Sequence, residues 1–216
     1  MVSHITAGST QAPDGRPFVR RRYLPGIVAL VALLTMTALA WAFVLTRPVQ
    51  IREAASCNPP PSRTDATAPN LGRLVPGSSL IDVAPANLAE AKVRVLNASG
   101  QGGQAGEVAS ALRDLGFAAP NAANDPIYAG TRLACQGQIR FGEAGRPSAA
   151  AAWLVAPCVE LYQDDRTDDS ADLVIGTDFT ALSNSDDIAA VLSGLQPGAT
   201  EPADSSLITK IHSSTC

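Results

Sequence analysis

One uninterrupted apolar stretch, Leu24 to Leu45, constrains this chain more than any other feature of its sequence. An α-helix rises about 1.5 Å per residue, so a stretch of this length crosses the roughly 30 Å hydrocarbon core of a bilayer. Arg20, Arg21 and Arg22 directly precede it, and basic residues beside a span stay on the cytoplasmic side. The sequence therefore predicts a single-pass membrane protein with its N-terminus inside and its C-terminal domain extracytoplasmic.

The charges on the two sides of this stretch agree with that orientation. Four Arg and one Asp precede it, whereas 12 basic and 19 acidic side chains follow it. An acidic outer domain is a poor partner for nucleic acid. No Arg/Lys cluster follows Arg47 that would attract anionic wall polymers.

A cleaved signal peptide is the alternative interpretation of the apolar stretch. Ala38, Leu39 and Ala40 match the small-x-small pattern of a signal-peptidase cleavage site. Signal h-regions run for about 7–15 residues, but this one continues through Trp41 to Leu45. We therefore expect an uncleaved anchor.

All four cysteines follow the apolar stretch: Cys57, Cys135, Cys158 and Cys216. An even number of cysteines in an oxidising compartment predicts two disulfides. A metal site is the weaker alternative, since no two cysteines have C-x-x-C spacing and His212 is the only outer histidine. Four cysteines allow three pairings. We expect Cys135 to pair with Cys158, because both lie near the starts of two strands joined by one helical crossover, and Cys57 to pair with Cys216.

The sequence divides into five segments. They are a disordered cytoplasmic tail over 1–23, a transmembrane helix over 24–45, a Pro-rich extracytoplasmic linker and lead-in over 46–91, an ordered domain over 92–179, and a C-terminal helix and tail over 180–216. Four prolines stand among Ser, Thr and Asn in the linker: Pro59, Pro60, Pro61 and Pro69. This composition predicts an extended spacer that lifts the domain off the membrane.

Strands alternate with helices in the outer domain. Val93 and Val95 alternate with polar or outward residues in a half-buried strand, and Gln104 to Leu115 follows with a helical apolar period. Gly116 suits the left-handed position after that helix. A weaker strand is predicted after Phe117, ending in the polar residues before Pro126. Further strands are predicted within 132–141, 159–162 and 171–175, and further helices after Gly145 and Ser185. This alternation predicts an α/β layer fold.

The motifs that suggest enzyme chemistry are incomplete. Gly100, Gly102 and Ala105 fit the dinucleotide fingerprint, but the acidic residue expected about 20 residues further on is missing. A nucleophilic serine would have to recruit either His4, on the inner side, or His212, in the tail. The sequence thus predicts no catalytic, cofactor-binding or metal-binding residues. The alternative is a cell-wall hydrolase or transferase with an unrecognised carboxylate site.

Two polar segments have structural explanations. A run of five carboxylates comprises Asp164, Asp165, Asp168, Asp169 and Asp172. It lacks the residue order of an EF-hand loop, so we interpret it as a solvated turn, with a Ca²⁺ site as the alternative. Asn97, Ala98 and Ser99 match a glycosylation sequon, which we interpret as turn chemistry.

The stretch that opens the domain resembles the LytR C-terminal (LytR_C) domain family. It reads VRVLNASGQGGQAGEVASALRDLGF, a Val-rich strand ending in Leu96 and Asn97, a Gly-rich turn, an Ala-rich helix and a closing Gly116 and Phe117. The resemblance extends over about Lys92 to Phe179. It implies a small mixed sheet packed with two to three helices.

The family often accompanies a catalytic LytR-CpsA-Psr domain that attaches polymers to peptidoglycan. This chain has no room for such a domain. The resemblance therefore implies a non-catalytic accessory protein of the actinobacterial cell envelope. Its outer domain is expected to bind a partner protein or a cell-wall component and to support envelope integrity.

Overall fold

The computed structural model describes residues 23–45, 56–62 and 70–213. The chain forms two compact units, residues 1–48 and 49–216. In the first unit, α1 (Leu24–Leu45) is one continuous helix. It is long and apolar enough to cross a membrane by length and composition, with a mean hydropathy of 2.2. The predicted inner tail lies outside the described residues except for Tyr23.

The second unit is built on one six-stranded sheet. Its strands are β1 (Arg73–Val75), β2 (Lys92–Asn97), β3 (Asn121–Asn124), β4 (Gly137–Phe141), β5 (Glu160–Gln163) and β6 (Ser170–Ile175). They lie in the order β1-β5-β4-β6-β2-β3. β2 pairs in parallel with β3 and β6, β4 pairs in parallel with β5, and the β4–β6 and β1–β5 pairs are antiparallel. The predicted mixed sheet is confirmed.

Four helices accompany the sheet: α2 (Gln104–Asp114), α3 (Arg146–Val155), α4 (Asp186–Gly194) and α5 (Ser205–Ser213). α2 connects β2 to β3 and α3 connects β4 to β5. Each connection joins two parallel neighbouring strands. The first moves towards one edge of the sheet and the second towards the other edge, and their strands run in opposite directions. Because both crossovers are right-handed, both helices lie on the same face of the sheet. Ser185 caps α4 as predicted, since its Oγ accepts the Ile188 N–H at 3.1 Å. α5 lies where the sequence indicated only a loose tail.

The main core lies between the sheet and these helices. Alternate strand residues point into it, among them Val93, Val95, Ile139, Phe141 and Leu173. The four alanines from Ala149 to Ala152 are all buried, which lets α3 approach the sheet closely. Gly116 has a φ of 103° and ends α2 as predicted, with the Phe117 N–H donating to the Leu112 carbonyl at 3.1 Å.

Strand β3 is where the sequence was least informative. All four residues of Asn121–Asn124 are exposed, and Asn and Ala are depleted in strands. The strand exists because its backbone pairs with β2, and the Asp125 N–H extends this pairing to the Asn97 carbonyl at 2.9 Å. A partner more than 20 residues away along the chain therefore overrides the local preference.

The predicted disulfide pairing is wrong. Cys57 is bonded to Cys135, with a Cα–Cα distance of 5.0 Å and a sequence separation of 78. β4 and β5 are parallel neighbours as expected, but the side chain of Cys135 belongs to a small apolar cluster against which Cys57 packs. Cys158 is also disulfide-bonded, and Cys216 lies outside the described residues.

We predict that a digest of the non-reduced native protein yields one peptide pair joined by Cys57 and Cys135 and another joined by Cys158 and Cys216. Cys216 is the expected partner of Cys158 because it is the fourth and last cysteine of the sequence. Reduction should lower the free energy of unfolding by about 2–4 kcal/mol per bond, because the unfolded chain regains its freedom. Mass spectrometry checks the pairing, and denaturant unfolding checks the stability. A peptide linking Cys135 to Cys158 would contradict the structure.

A buried histidine lies in α5. The His212 ring stacks on Trp153 with 3.5 Å between the ring centroids. Only 4% of His212 is exposed, and its Nδ1 has no hydrogen-bond partner among the described residues. Burial lowers the pKa of His212 to about 4. The neutral imidazole is therefore the form that the fold accepts.

We predict that the domain loses stability as the pH falls from about 6.5 towards 4. The folded pKa lies below the unfolded one, so acid protonates His212 first in the unfolded state and favours unfolding, by up to about 3 kcal/mol. Thermal unfolding across this pH range should show a steeper loss for the native protein than for His212→Phe, which keeps the ring on Trp153. Parallel curves for the two proteins would refute this assignment.

A charged groove on the open face of the sheet

The face of the sheet opposite the helices carries the candidate functional site. Strand alternation sends to this face the side chains of Arg94, Gln138, Arg140, Tyr162 and Asp172. At one end the face is covered by a second apolar cluster that contains Leu96, Ala98, Ile127, Tyr128, Leu133, Cys135 and Val174. Further along, charged side chains replace the apolar ones.

Residues 56–62, which we call the strap, are fastened to the covered end of this face. The Asn58 side chain donates to the Arg132 carbonyl at 3.1 Å and accepts the Ala134 N–H at 2.6 Å. The Tyr128 hydroxyl donates to the Asn58 carbonyl at 2.7 Å. The strap therefore belongs to the domain, which corrects the interpretation of this part of the Pro-rich segment as a spacer. Residues 46–55 and 63–69 of the predicted linker lie outside the described residues.

A buried ion pair lies next to the covered end. Arg140 Nη1 donates to Asp125 Oδ1 at 2.7 Å, and the two side chains are 3% and 0% exposed. The remaining donors of Arg140 reach Gln138 Oε1 at 2.8 and 3.2 Å, and Asp125 Oδ2 accepts the Tyr128 N–H at 2.8 Å. Because both charges are hydrogen-bonded, the pair fixes the loop after β3 to the centre of the sheet. Burial raises the pKa of Tyr128.

An outer charge network continues from this pair towards solvent. Arg166 Nη2 contacts Asp164 Oδ2 at 2.6 Å and Asp172 Oδ2 at 2.7 Å. Arg94 approaches the same Asp172 from β2, with Nε 2.6 Å from Oδ1. Burial alone would lower the pKa of Arg166, but hydrogen bonds with Asp164 and Asp172 outweigh it and raise that pKa above its usual value. Asp172 thus joins β6, β2 and the turn before β6.

The fold divides the Asp-rich run into two groups. Asp164 and Asp172 are largely buried in the outer network. The other three carboxylates are exposed: Asp165, Asp168 and Asp169. Asp168 accepts the Ser170 hydroxyl and its N–H, the latter at 2.9 Å, and these bonds lower its pKa. Within the part of the chain that the structure describes, no group of three His, Cys, Asp or Glu side chains could hold a metal ion.

An open groove of about 630 Å³ lies over the outer network. Arg94, Arg166 and Asp172 form its charged floor, and Leu96 and Ile127 contribute an apolar wall. Its rim is polar, with Asn70, Asn124, Asp165 and Asp168. Arg94 is half exposed in this groove. The groove combines fixed hydrogen-bonding groups with apolar surface, which is typical of a binding site.

The Gly-rich turn after β2 has a structural explanation. The Asn97 side chain accepts the Ser99 N–H at 3.0 Å and donates to the Gln101 carbonyl at 2.6 Å, which supports the interpretation of the sequon as turn chemistry. The Gln104 amide donates to the Phe179 carbonyl at 3.0 Å. The Asn97 bonds stabilise the turn itself, and the Gln104 bond joins the start of α2 to the end of the 92–179 segment.

Comparison with known proteins identifies the domain. The family model for the LytR cell envelope-related transcriptional attenuator, LytR_C, matches residues 90–179. The Mycobacterium tuberculosis protein named cell envelope integrity protein Cei is 59% identical over 216 residues, covering 100% of both chains. The chain belongs to the LytR_C family.

A solved structure agrees with the LytR_C fold described above. It is the crystal structure of the soluble domain of a conserved hypothetical secreted protein from Mycobacterium marinum. The sequences are 66% identical and the TM-score is 0.67, over 68% of this chain and 99% of that one. The crystallised part of that protein is therefore a domain that folds by itself.

Two elements of the candidate site in this LytR_C protein were not predicted. The sequence predicted a strand within 132–141, which contains Arg140, but it indicated no partner for Arg140 and no role for Arg166. A charged residue between apolar neighbours such as Ile139 and Phe141 is the signal that was available, since such residues are rarely buried unless paired.

We predict that Asp125→Ala lowers the free energy of unfolding by about 3–5 kcal/mol, because it leaves the Arg140 charge buried without its partner. Denaturant unfolding provides the measurement. Asp169→Ala is the matched control, since Asp169 pairs with Lys92 at the surface with both side chains more than half exposed. Equal effects of the two substitutions would refute a structural role for the buried pair.

Proposed function

We propose that this protein is a non-catalytic, single-pass membrane protein whose extracytoplasmic LytR_C domain supports cell-envelope integrity. One observation carries the proposal: the similarity to Cei extends over the full length of both chains. The apolar helix α1 and the basic residues Arg20–Arg22 support an uncleaved anchor with the N-terminus inside. The disulfide between Cys57 and Cys135 supports an oxidising, extracytoplasmic location for the domain.

The domain acts by binding a partner protein or a cell-wall component in the groove. The composition of the groove supports binding rather than catalysis. Four carboxylates line it. Asp164 and Asp172 are held by the Arg166 guanidinium, Asp168 accepts hydrogen bonds from Ser170, and Asp165 lies exposed on the rim. Among the described residues that line the groove there is no histidine, cysteine or serine. Fixed guanidinium and carboxylate groups with an adjacent apolar wall are suited to recognition.

Complementation of a mycobacterial strain that lacks the gene for Cei tests this function. We predict that the full chain restores the permeability barrier to a fluorescent dye, whereas a secreted form without α1 does not. Arg94→Ala should restore it poorly, because Arg94 is the half-exposed guanidinium of the groove and Arg166 still holds Asp172 in its absence. Arg113→Ala, a matched change of an exposed Arg on α2, should behave as wild type.

Each outcome has a distinct meaning. Failure of the wild-type chain would overturn the role in envelope integrity. Full restoration by Arg94→Ala, at equal protein levels, would show that the groove is not the binding site. Full restoration by the form without α1 would show that the anchor is dispensable.

A further inference from the structure

We propose that the disulfide-fastened strap is a redox-sensitive clasp that holds one wall of the groove in place. This inference rests on the proposed function only in taking the groove as the binding site. The strap is residues 56–62, and its covalent attachment is the bond between Cys57 and Cys135. The wall that it controls is the segment from Pro126 to Ala134.

The disulfide attaches the strap to Cys135, directly after this segment, and the strap contacts the segment itself at three points. Two are the hydrogen bonds of the Asn58 side chain, to the Arg132 carbonyl and from the Ala134 N–H. The third is the bond from the Tyr128 hydroxyl to the Asn58 carbonyl. Asn58 is adjacent to Cys57, so the disulfide holds its polar groups in place and reduces the entropy cost of these bonds.

The first residues of the same segment line the groove. Pro126 and Ile127 line it, and both directly precede Tyr128. The cluster under the strap and the groove share Leu96 and Ile127, so one apolar surface continues from beneath the strap into the binding site. Loss of the strap would therefore release the Tyr128 ring and loosen the wall beside it.

The ends of the segment are held without the strap. The Asp125 N–H and the Leu133 N–H donate to backbone carbonyls at the end of β2 and just after it, at 2.9 Å each. Asp125 is further held by Arg140. Release of the strap should consequently loosen the middle of the segment while the sheet stays intact, which is the behaviour required of a local switch.

Reduction of the clasp is a two-electron exchange with an extracytoplasmic dithiol. A thiolate of the dithiol attacks Cys57 Sγ, the more accessible sulfur, since Cys135 is only 2% exposed. The bond between Cys57 and Cys135 breaks, Cys135 leaves as the thiolate and takes up a proton, and Cys57 forms a mixed disulfide with the reagent. The mixed disulfide then resolves when the second thiol of the reagent displaces Cys57. The products are two protonated protein thiols and the disulfide form of the reagent, and reoxidation restores the strap.

Hydrogen exchange measured by mass spectrometry on the full chain in lipid nanodiscs tests the inference. The variants are Cys57→Ser/Cys135→Ser, which removes the clasp, and Asn58→Ala, which keeps the disulfide but removes the side-chain hydrogen bonds. We predict about tenfold faster exchange in peptides within 126–134 for the double variant, a smaller increase for Asn58→Ala, and unchanged exchange in β2 and β6. Dithiothreitol should reproduce the effect in the wild type, reversibly.

The matched control is Cys158→Ser/Cys216→Ser, which removes the other pair of cysteines and should leave exchange in 126–134 unchanged. Unchanged exchange in 126–134 after loss of the clasp would overturn the proposal, and so would equal acceleration over the whole domain. These outcomes do not depend on any ligand. They are therefore distinguishable from failure of the proposed function, which the complementation of the wild-type chain decides.

Discussion

Two right-handed crossovers, β2–α2–β3 and β4–α3–β5, place their helices on one face of the sheet, and the organisation of the domain depends on this constraint. The helix face acquires a continuous apolar core. The other face receives no helix from either crossover, so its central strands must be covered in another way. The strap, the loop after β3 and the turn before β6 provide that cover, and each is joined to the sheet by specific bonds.

Charge takes the place of apolar packing on the open face. A buried ion pair adds little to the free energy of unfolding compared with an apolar pair of the same shape, but removal of one partner lowers that free energy strongly. Arg140 with Asp125, and Asp172 with Arg94 and Arg166, therefore specify one position for each loop rather than merely attracting it. The outer network is also accessible from the groove. The same residues, Arg94, Arg166 and Asp172, therefore hold a turn in place and line the groove.

The stretch that carries the family resemblance serves mainly the fold, although its Arg94 and Leu96 also line the groove. Asn97 organises the turn after β2, and Gly116 ends α2 in a left-handed conformation. Arg166 and the strap lie outside this opening stretch. The opening motif therefore identifies the fold, while the groove that supports the proposed function is assembled by elements from distant parts of the chain.

The sequence by itself determined the elements whose signals are local: the apolar helix α1, the β2–α2 unit with Gly116, and the cap of α4 at Ser185. Periodicity and capping act within a few residues, so they can be recognised without the fold. Only the tertiary structure decided the Cys57–Cys135 pairing, strand β3, and the division of the Asp-rich run by Arg166. These features depend on neighbours that the chain brings together only when the sheet forms. A disulfide across 78 residues is the clearest case, because spacing along the chain carries no information about which surfaces meet.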